Sequence, residues 1–448
     1  MSSEKAQACG SDEGNLKWWQ LSLLGVGCII GTGFFLGSGI GIKKGGPSIL
    51  FAFLIAAFAT YVVFDALARL TADNPQKGSF CKYAQIAYGR WAGFSNGWVY
   101  WTSEILITGS QLTALGIFTR FWFPNVPLWL LAAIFAILGL VVIFMGTKLF
   151  EKVEDVMAVI KVLGIFMFIV VAALALYGIF GHHGNNPTVP KDYRSFFPHG
   201  LTGLWSGLIY AFYTFGGIEI MGLMANNLKK PKEGSKAGKI MLLLLVIIYV
   251  VSVGLAVILV DWSEFNTKES PFVIALHDYN LAFVPHVFNG ILIIAGFSTM
   301  VASLFAVTDM LVTLSENGDA PKMFSKKLKK VKVSLPALAV TAGGLVVSII
   351  MSLILPENIY EHLTTAAGLM LLYTWIFILF SFNKIMELKT GDKIKRIAGL
   401  IFILLAITGT LMAKDSRPGF FISIGFLVII ALATIIMRKT VWHKTKTT

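Results

Sequence analysis

The chain has 448 residues, of which 56% are hydrophobic and only 14% charged, and its mean hydropathy is +0.75. Soluble domains carry about a quarter charged residues, so an ordinary soluble globule is excluded. The formal net charge of +13 is not a nucleic-acid footprint, because the basic residues sit mostly between apolar runs, where they set membrane orientation.

The apolar runs are roughly 20 residues long, the length a helix needs to cross about 30 Å of hydrocarbon. They lack strand-like alternation, which excludes a β-barrel and leaves an all-α integral membrane protein. The chain opens with a polar tail, 1–17, without the charged-then-apolar pattern of a cleaved leader, so the first span is expected to stay. Twelve transmembrane helices are expected, at 18–42, 47–70, 91–121, 127–146, 152–178, 201–225, 237–260, 283–313, 334–355, 359–382, 395–413 and 417–437. Between the second and third, Pro75 to Tyr88 reads as a short amphipathic helix along the inner face. The loop from His182 to His199 holds three histidines but no partner cluster, so a polar loop is expected rather than a metal site. Three cysteines, Cys9, Cys28 and Cys81, make no disulfide framework.

Lysine and arginine set the orientation. With the N-terminus inside, the inward loops collect Lys229, Lys230, Lys232, Lys236 and Lys239, then the run from Lys322 to Lys332, then Lys384 to Arg396. Outward loops hold few basic residues, among them Lys43, Lys44, Lys191 and Lys268. Both termini, including the tail 438–448, are therefore expected in the cytoplasm.

Two spans are interrupted by glycine. The first reads Gly25-Val-Gly-Cys-Ile-Ile-Gly-Thr-Gly-Phe-Phe-Leu-Gly-Ser-Gly39, and the sixth Tyr210-Ala-Phe-Tyr-Thr-Phe-Gly-Gly-Ile-Glu219. Membrane helices also use glycine for close packing, but here the interruptions fall at mid-depth, five spans apart. That spacing predicts two five-helix halves of opposite topology, and matched broken helices in such halves point to a midplane substrate site. Amides freed at the start of a half-helix can hold a carboxylate, and carbonyls freed at the end of one can hold an ammonium. A zwitterion matches both, and an amino acid is the commonest small one.

The segment Gly27-Cys-Ile-Ile-Gly-Thr-Gly-Phe-Phe-Leu-Gly-Ser-Gly39 resembles the first helix of amino-acid permeases of the amino acid–polyamine–organocation superfamily. The resemblance continues through Gly78-Ser-Phe-Cys-Lys-Tyr-Ala84, Gly97-Trp-Val-Tyr-Trp101, Gln111-Leu-Thr-Ala114, Phe215-Gly-Gly-Ile-Glu219 and Asn317-Gly-Asp-Ala-Pro-Lys322. It implies a 5+5 inverted repeat, 18–178 and 201–382, with broken helices 1 and 6 plus two C-terminal helices, 395–437. It also implies a site. The amides of Gly31, Thr32 and Gly33, with the Thr32 hydroxyl, would take the substrate carboxylate. Carbonyls around Ile29 and from Tyr213 to Gly216 would take the amine, and Tyr213 and Phe215 would cover the side chain.

Ionisable groups at membrane depth are costly and read as functional by default. Lys161 stands where sodium-coupled relatives bind a cation, and its gain and loss of a proton would couple transport to the proton gradient; a lysine snorkelling to the inner face is the plain alternative. Glu219 follows the second interruption, where it suits the dipole of the half-helix and its family counterpart is linked to gating and proton sensing. Relatives usually carry an apolar residue where this chain has Glu104 and a Glu where it has Gln111. At the inner end of helix two the usual charge order is reversed, with Asp65 and Arg69 spaced to pair at i, i+4.

No phosphate-cradling loop, nucleophile constellation or metal-ligand cluster is visible, so neither an enzyme nor an ATP-driven pump is expected, and no cofactor. The expected function is import of a neutral, hydrophobic amino acid by proton symport with alternating access, with amino-acid exchange or a non-transporting sensor as alternatives. A basic substrate would instead favour Glu104 as its counter-charge. The expected partners are the amino acid, protons and the lipid bilayer of the cell membrane.

Overall fold

A chain that runs through lipid must satisfy its backbone within each segment, and the computed structural model of the protein does so with helices. It describes residues 16–76, 79–145, 147–180, 189–277, 279, 281, 283–327, 333–354 and 358–442. Most of the N-terminal tail, Cys9, His182, His183, the basic residues Lys329, Lys330 and Lys332, and the end of the C-terminal tail lie outside the described residues.

Helix α1 (Trp18–Ile29) opens at Ile30 and Gly31, and the chain resumes through a π-helical turn, Gly33–Gly37, into α2 (Ser38–Gly45). There follow α3 (Ile49–Asp73), the short α4 (Ser79–Tyr88) in the place expected for the amphipathic segment, α5 (Arg90–Arg120), α6 (Leu128–Met145) and α7 (Thr147–Leu176). The second interrupted helix is α8 (Gly200–Tyr213) and α9 (Ile218–Met224), separated by a four-residue turn at 214–217. Then come α10 (Gly234–Leu259), α11 (Val284–Glu316), α12 (Leu335–Ile354), α13 (Ile359–Ile385), α14 (Thr390–Gly409) and α15 (Arg417–Met437).

Among the described residues each expected span contains helix, interrupted in the first and the sixth, and eight stretches are long and apolar enough to cross a membrane. The 31-residue α5 is not among them, since Glu104, Gln111 and many serines, threonines and glycines dilute its apolar character. Its inner position explains this composition: α5 packs along both α11 and α13, and its Asn96, Ser103, Glu104 and Thr108 are all buried. Peripheral helices show the opposite pattern. Ile137 on α6, Phe166 on α7, Val347 on α12 and Val428 on α15 are more than half exposed, an apolar outer surface of the kind a membrane-spanning chain presents to lipid.

Aromatic rings wedge the second half of helix one in place. Phe34 stacks on Tyr249 with centroids 4.2 Å apart, and Phe272 lies 5.0 Å from Phe34 and 4.8 Å from Phe168. At the α2 end of the bundle a buried ion pair ties four elements together. Lys44 Nζ lies 2.7 Å from Glu361 Oε1, which also accepts hydrogen bonds from Tyr210 at 3.1 Å and Ser416 at 3.2 Å. At the other end Asp65 and Arg69 do pair across one helical turn, at 3.6 Å, and Arg69 reaches Asp392 of α14 at 3.1 Å. The Asn317-Gly-Asp motif folds back onto the start of α5, where Arg90 Nε meets Asp319 Oδ1 at 3.3 Å. Burial pushes the Asp319 carboxyl above its ordinary range and the adjacent Arg90 guanidinium pulls it back.

Candidate functional site

Both interruptions are local consequences of sequence. At Gly31 the backbone of helix one runs against α11: a β-carbon there would stand 2.7 Å from Thr299 Cγ2 and 2.9 Å from its hydroxyl. A side chain there would force a neighbour to shift, and the regular helix ends at Ile29, two residues before this glycine. At the second break Gly217 has φ +101°, a left-handed conformation that side-chain-bearing residues rarely adopt. The helix stops at Tyr213 and restarts at Ile218.

The two breaks face one cavity of about 110 Å³. Ile29, Gly31, Thr32 and Gly33 line it from the first break, and Tyr213, Thr214, Gly216 and Gly217 from the second. To the same lining α5 adds Glu104, Ile107 and Gln111, and α11 adds Thr299, Ala302, Ser303 and Ala306. Seven of the residues expected to bind substrate, Ile29, Gly31, Thr32, Gly33, Tyr213, Gly216 and Glu104, thus meet around one space.

Phe215 does not join them. It is fully buried and its ring lies 5.3 Å from Tyr249, behind the break rather than in the cavity. The alternation of side chains through a non-helical turn could not be foreseen, and it turns Tyr213 toward the cavity and Phe215 into the core. Tyr213 packs its ring against Gly33 and shares a 2.6 Å hydrogen bond with Ser110 of α5.

Hydrogen bonds around the breaks separate the backbone groups already used from those a ligand can use. Gly31 O accepts from both Phe34 N and Phe35 N at 3.0 Å, and Thr32 O accepts from the Tyr360 hydroxyl at 3.0 Å. Thr214 O accepts from the Tyr249 hydroxyl, and Tyr213 O from Gly216 N. The amides of Thr32 and Gly33 sit in the first turn of the resumed helix, where no preceding helical carbonyl serves them. The Thr32 hydroxyl is buried without a hydrogen-bond partner. This edge of the cavity is therefore rich in donors at the positive end of a half-helix, an arrangement suited to a carboxylate.

The expected coupling residues stand just outside the cavity lining. Lys161, fully buried, donates from Nζ to Gly27 O at 3.4 Å, one of the carbonyls exposed at the end of α1. A cation there complements the negative end of the α1 dipole. Glu219 is also fully buried; its carboxylate accepts from Gly217 N at 3.0 Å and from the Trp375 indole of α13. It caps the start of α9 and fastens that half-helix to α13.

The four α11 residues escaped sequence reasoning, although Thr299, Ala302, Ser303 and Ala306 fall at i, i+3, i+4 and i+7, one helical face of small or polar side chains. Gln111 stood out only as a departure from the family pattern. No group of three or more histidine, cysteine or acidic residues that could hold a metal occurs among the described residues, and His199 packs edge-on against Trp262.

Comparison with known proteins fits this geometry. The chain is 61% identical over 434 residues to an uncharacterized transporter, YcgH, of Bacillus subtilis (strain 168), covering 96% of this chain and 97% of that protein. It is 28% identical over 439 residues to the aromatic amino acid transport protein AroP of Escherichia coli (strain K12), covering 95% of each. An uncharacterized amino acid permease of Bacillus subtilis, YtnA, is 28% identical over 428 residues, 92% of each chain. Residues 20–444 match the family described as Amino acid permease. An all-helical, multi-pass membrane chain whose match runs through both helix breaks and nearly its whole length belongs to the amino acid permease family.

Proposed function

We propose that the protein imports an amino acid by proton symport, alternating access to one site between the helix breaks across a twelve-helix, inverted-repeat frame. The observation that carries this reading is that two interrupted helices line one cavity. The amides of Thr32 and Gly33, with the Thr32 hydroxyl, take the carboxylate. Carbonyls at the end of α1, around Ile29, and at the α8 break take the ammonium. Lys161 and Glu219, each bonded to backbone at one break, are the groups whose protonation senses the gradient and sets the half-helices. Family membership and the name of AroP support an amino-acid substrate.

Reconstitution into proteoliposomes tests this directly. Labelled amino acids, offered singly against a mixture of all twenty, should accumulate only with an inward proton gradient. Uptake only against preloaded amino acid would make the protein an exchanger, and binding without flux a sensor.

The topology is a separate expectation. Single cysteines at Lys326 and Lys191, both exposed positions, should be labelled by an impermeant maleimide from the cytoplasmic and external sides respectively, as the basic-loop bias requires. Labelling of the two from the same side, or in reverse, would overturn the arrangement.

A further inference from the structure

Most polar side chains around the cavity are already engaged within the protein. Tyr213 shares its hydroxyl with Ser110 at 2.6 Å, and Thr214 donates to Ala211 O at 2.7 Å. Thr299 donates to Ala295 O at 3.2 Å and Gly296 O at 3.1 Å, within its own helix. Glu104 has its donor in the hydroxyl of the buried Tyr100, one turn earlier on α5. Of the lining residues, Thr32 and Gln111 each hold a buried oxygen with no hydrogen-bond partner among the described residues. The Thr32 hydroxyl belongs to the first break and to the substrate carboxylate proposed there. Gln111 belongs to neither break. It sits on α5, 6% exposed, two turns beyond Glu104.

An acceptor shut inside a cavity wall costs free energy until a donor reaches it. The last torsion of a glutamine side chain is broad, so the amide can turn its oxygen toward a donor in the cavity, and that oxygen gives up no hydrogen bond in turning. An apolar side chain laid over the amide would return no donor. A hydroxyl or carboxamide satisfies the oxygen without bringing a charge out of water. We propose that Gln111 is a side-chain contact of the site and that it selects amino acids whose side chain carries an uncharged hydrogen-bond donor. This subsite rests on the amino-acid transport proposed above; it keeps the neutral substrate expected from sequence and exchanges the apolar side chain for a polar one. Gln111 acts on selectivity, because the carboxylate and ammonium common to all amino acids are assigned to the breaks.

The test uses the reconstituted full chain and measures counterflow of radiolabelled pairs that match in shape and differ in the donor: L-threonine and L-valine, L-asparagine and L-leucine, L-tyrosine and L-phenylalanine. In the pair whose donor reaches Gln111, the donor-bearing member should have a KM roughly 10- to 100-fold below its partner's, the discrimination expected for one buried acceptor left unpaired. Gln111→Met, close in shape but without the amide, should remove that difference. Gln111→Glu, which keeps an acceptor, should retain it, and Gln111→Leu serves if the methionine variant fails to fold. Equal KM values in all three pairs, preference for the apolar members, or a difference that survives in Gln111→Met would overturn the subsite and leave amino-acid transport standing. Uptake of L-lysine in preference to every neutral amino acid would overturn it as well. Neither uptake of, nor thermal stabilisation by, any of the twenty amino acids would overturn both the subsite and the transport reading.

Discussion

Replacing Gly31 by valine should abolish amino-acid binding while leaving an inserted, folded protein. The added β-carbon would meet Thr299 Cγ2 at 2.7 Å, and because Thr299 belongs to the continuous helix α11, helix one must give way. That shift carries the Thr32 and Gly33 amides off the substrate carboxylate. Hydrogen bonds to a charged group contribute about 1.5–3 kcal/mol each, so losing even one weakens binding roughly 10- to 100-fold and losing both removes it. The steric cause can be isolated by a double substitution. Gly31→Ala should impair binding on its own, and Gly31→Ala with Thr299→Ala should recover much of it, because the closest atoms are then gone and Thr299 Cβ remains at 3.2 Å. Isothermal titration of detergent-purified protein measures each corner of this cycle. Unchanged affinity in Gly31→Val would remove the carboxylate site from the first break.

Lys161→Ala should uncouple uptake from the proton gradient without preventing exchange of substrate across the membrane. One pH unit is worth 1.36 kcal/mol, about a tenfold concentration ratio if one proton accompanies each substrate. Wild-type vesicles should therefore accumulate substrate roughly tenfold per pH unit, and the variant should equilibrate it. The informative companion is Lys161→Arg. Arginine keeps the charge beside Gly27 O and the end of α1, yet it stays protonated throughout the physiological range. If Lys161 works by releasing its proton, arginine should abolish concentrative uptake as alanine does. If the charge matters only as a cap on α1, arginine should restore it. Accumulation by Lys161→Ala under an imposed gradient would exclude the lysine from coupling.

These two effects differ in origin. The first depends on how closely helix one approaches α11, and the second on a charge placed at the open end of a half-helix. Both follow from interrupting a helix inside a membrane, which exposes backbone groups where lipid cannot satisfy them. Those groups then either bind a ligand or recruit side chains. Tyr360, Tyr249 and Lys161 each bond to a carbonyl at or near a break, whereas the first-turn amides of Thr32 and Gly33 are the groups proposed to hold the substrate carboxylate.

Sequence alone determined the features that depend on local chemistry. Apolar runs of spanning length had to become helices because lipid offers the backbone no other partner, and each expected span lies on one. The glycines at 31, 33, 216 and 217 located both interruptions, and the left-handed φ of Gly217 is a conformation that glycine adopts readily. The i, i+4 spacing of Asp65 and Arg69 was enough to foresee their contact, because helical periodicity places such residues side by side. What only the tertiary structure decided depends on groups far apart in the chain. Thr299 could not be known to press on Gly31, nor Trp375 to hold Glu219, nor Asp392 to share Arg69, because each contact joins separate helices and no periodicity within one helix encodes the distance to another. The same holds for Tyr213 and Phe215. They lie two residues apart in a turn, where neither helical nor strand alternation applies, and only the packing of Tyr249 and Ser110 around that turn sends one ring into the core and the other into the cavity.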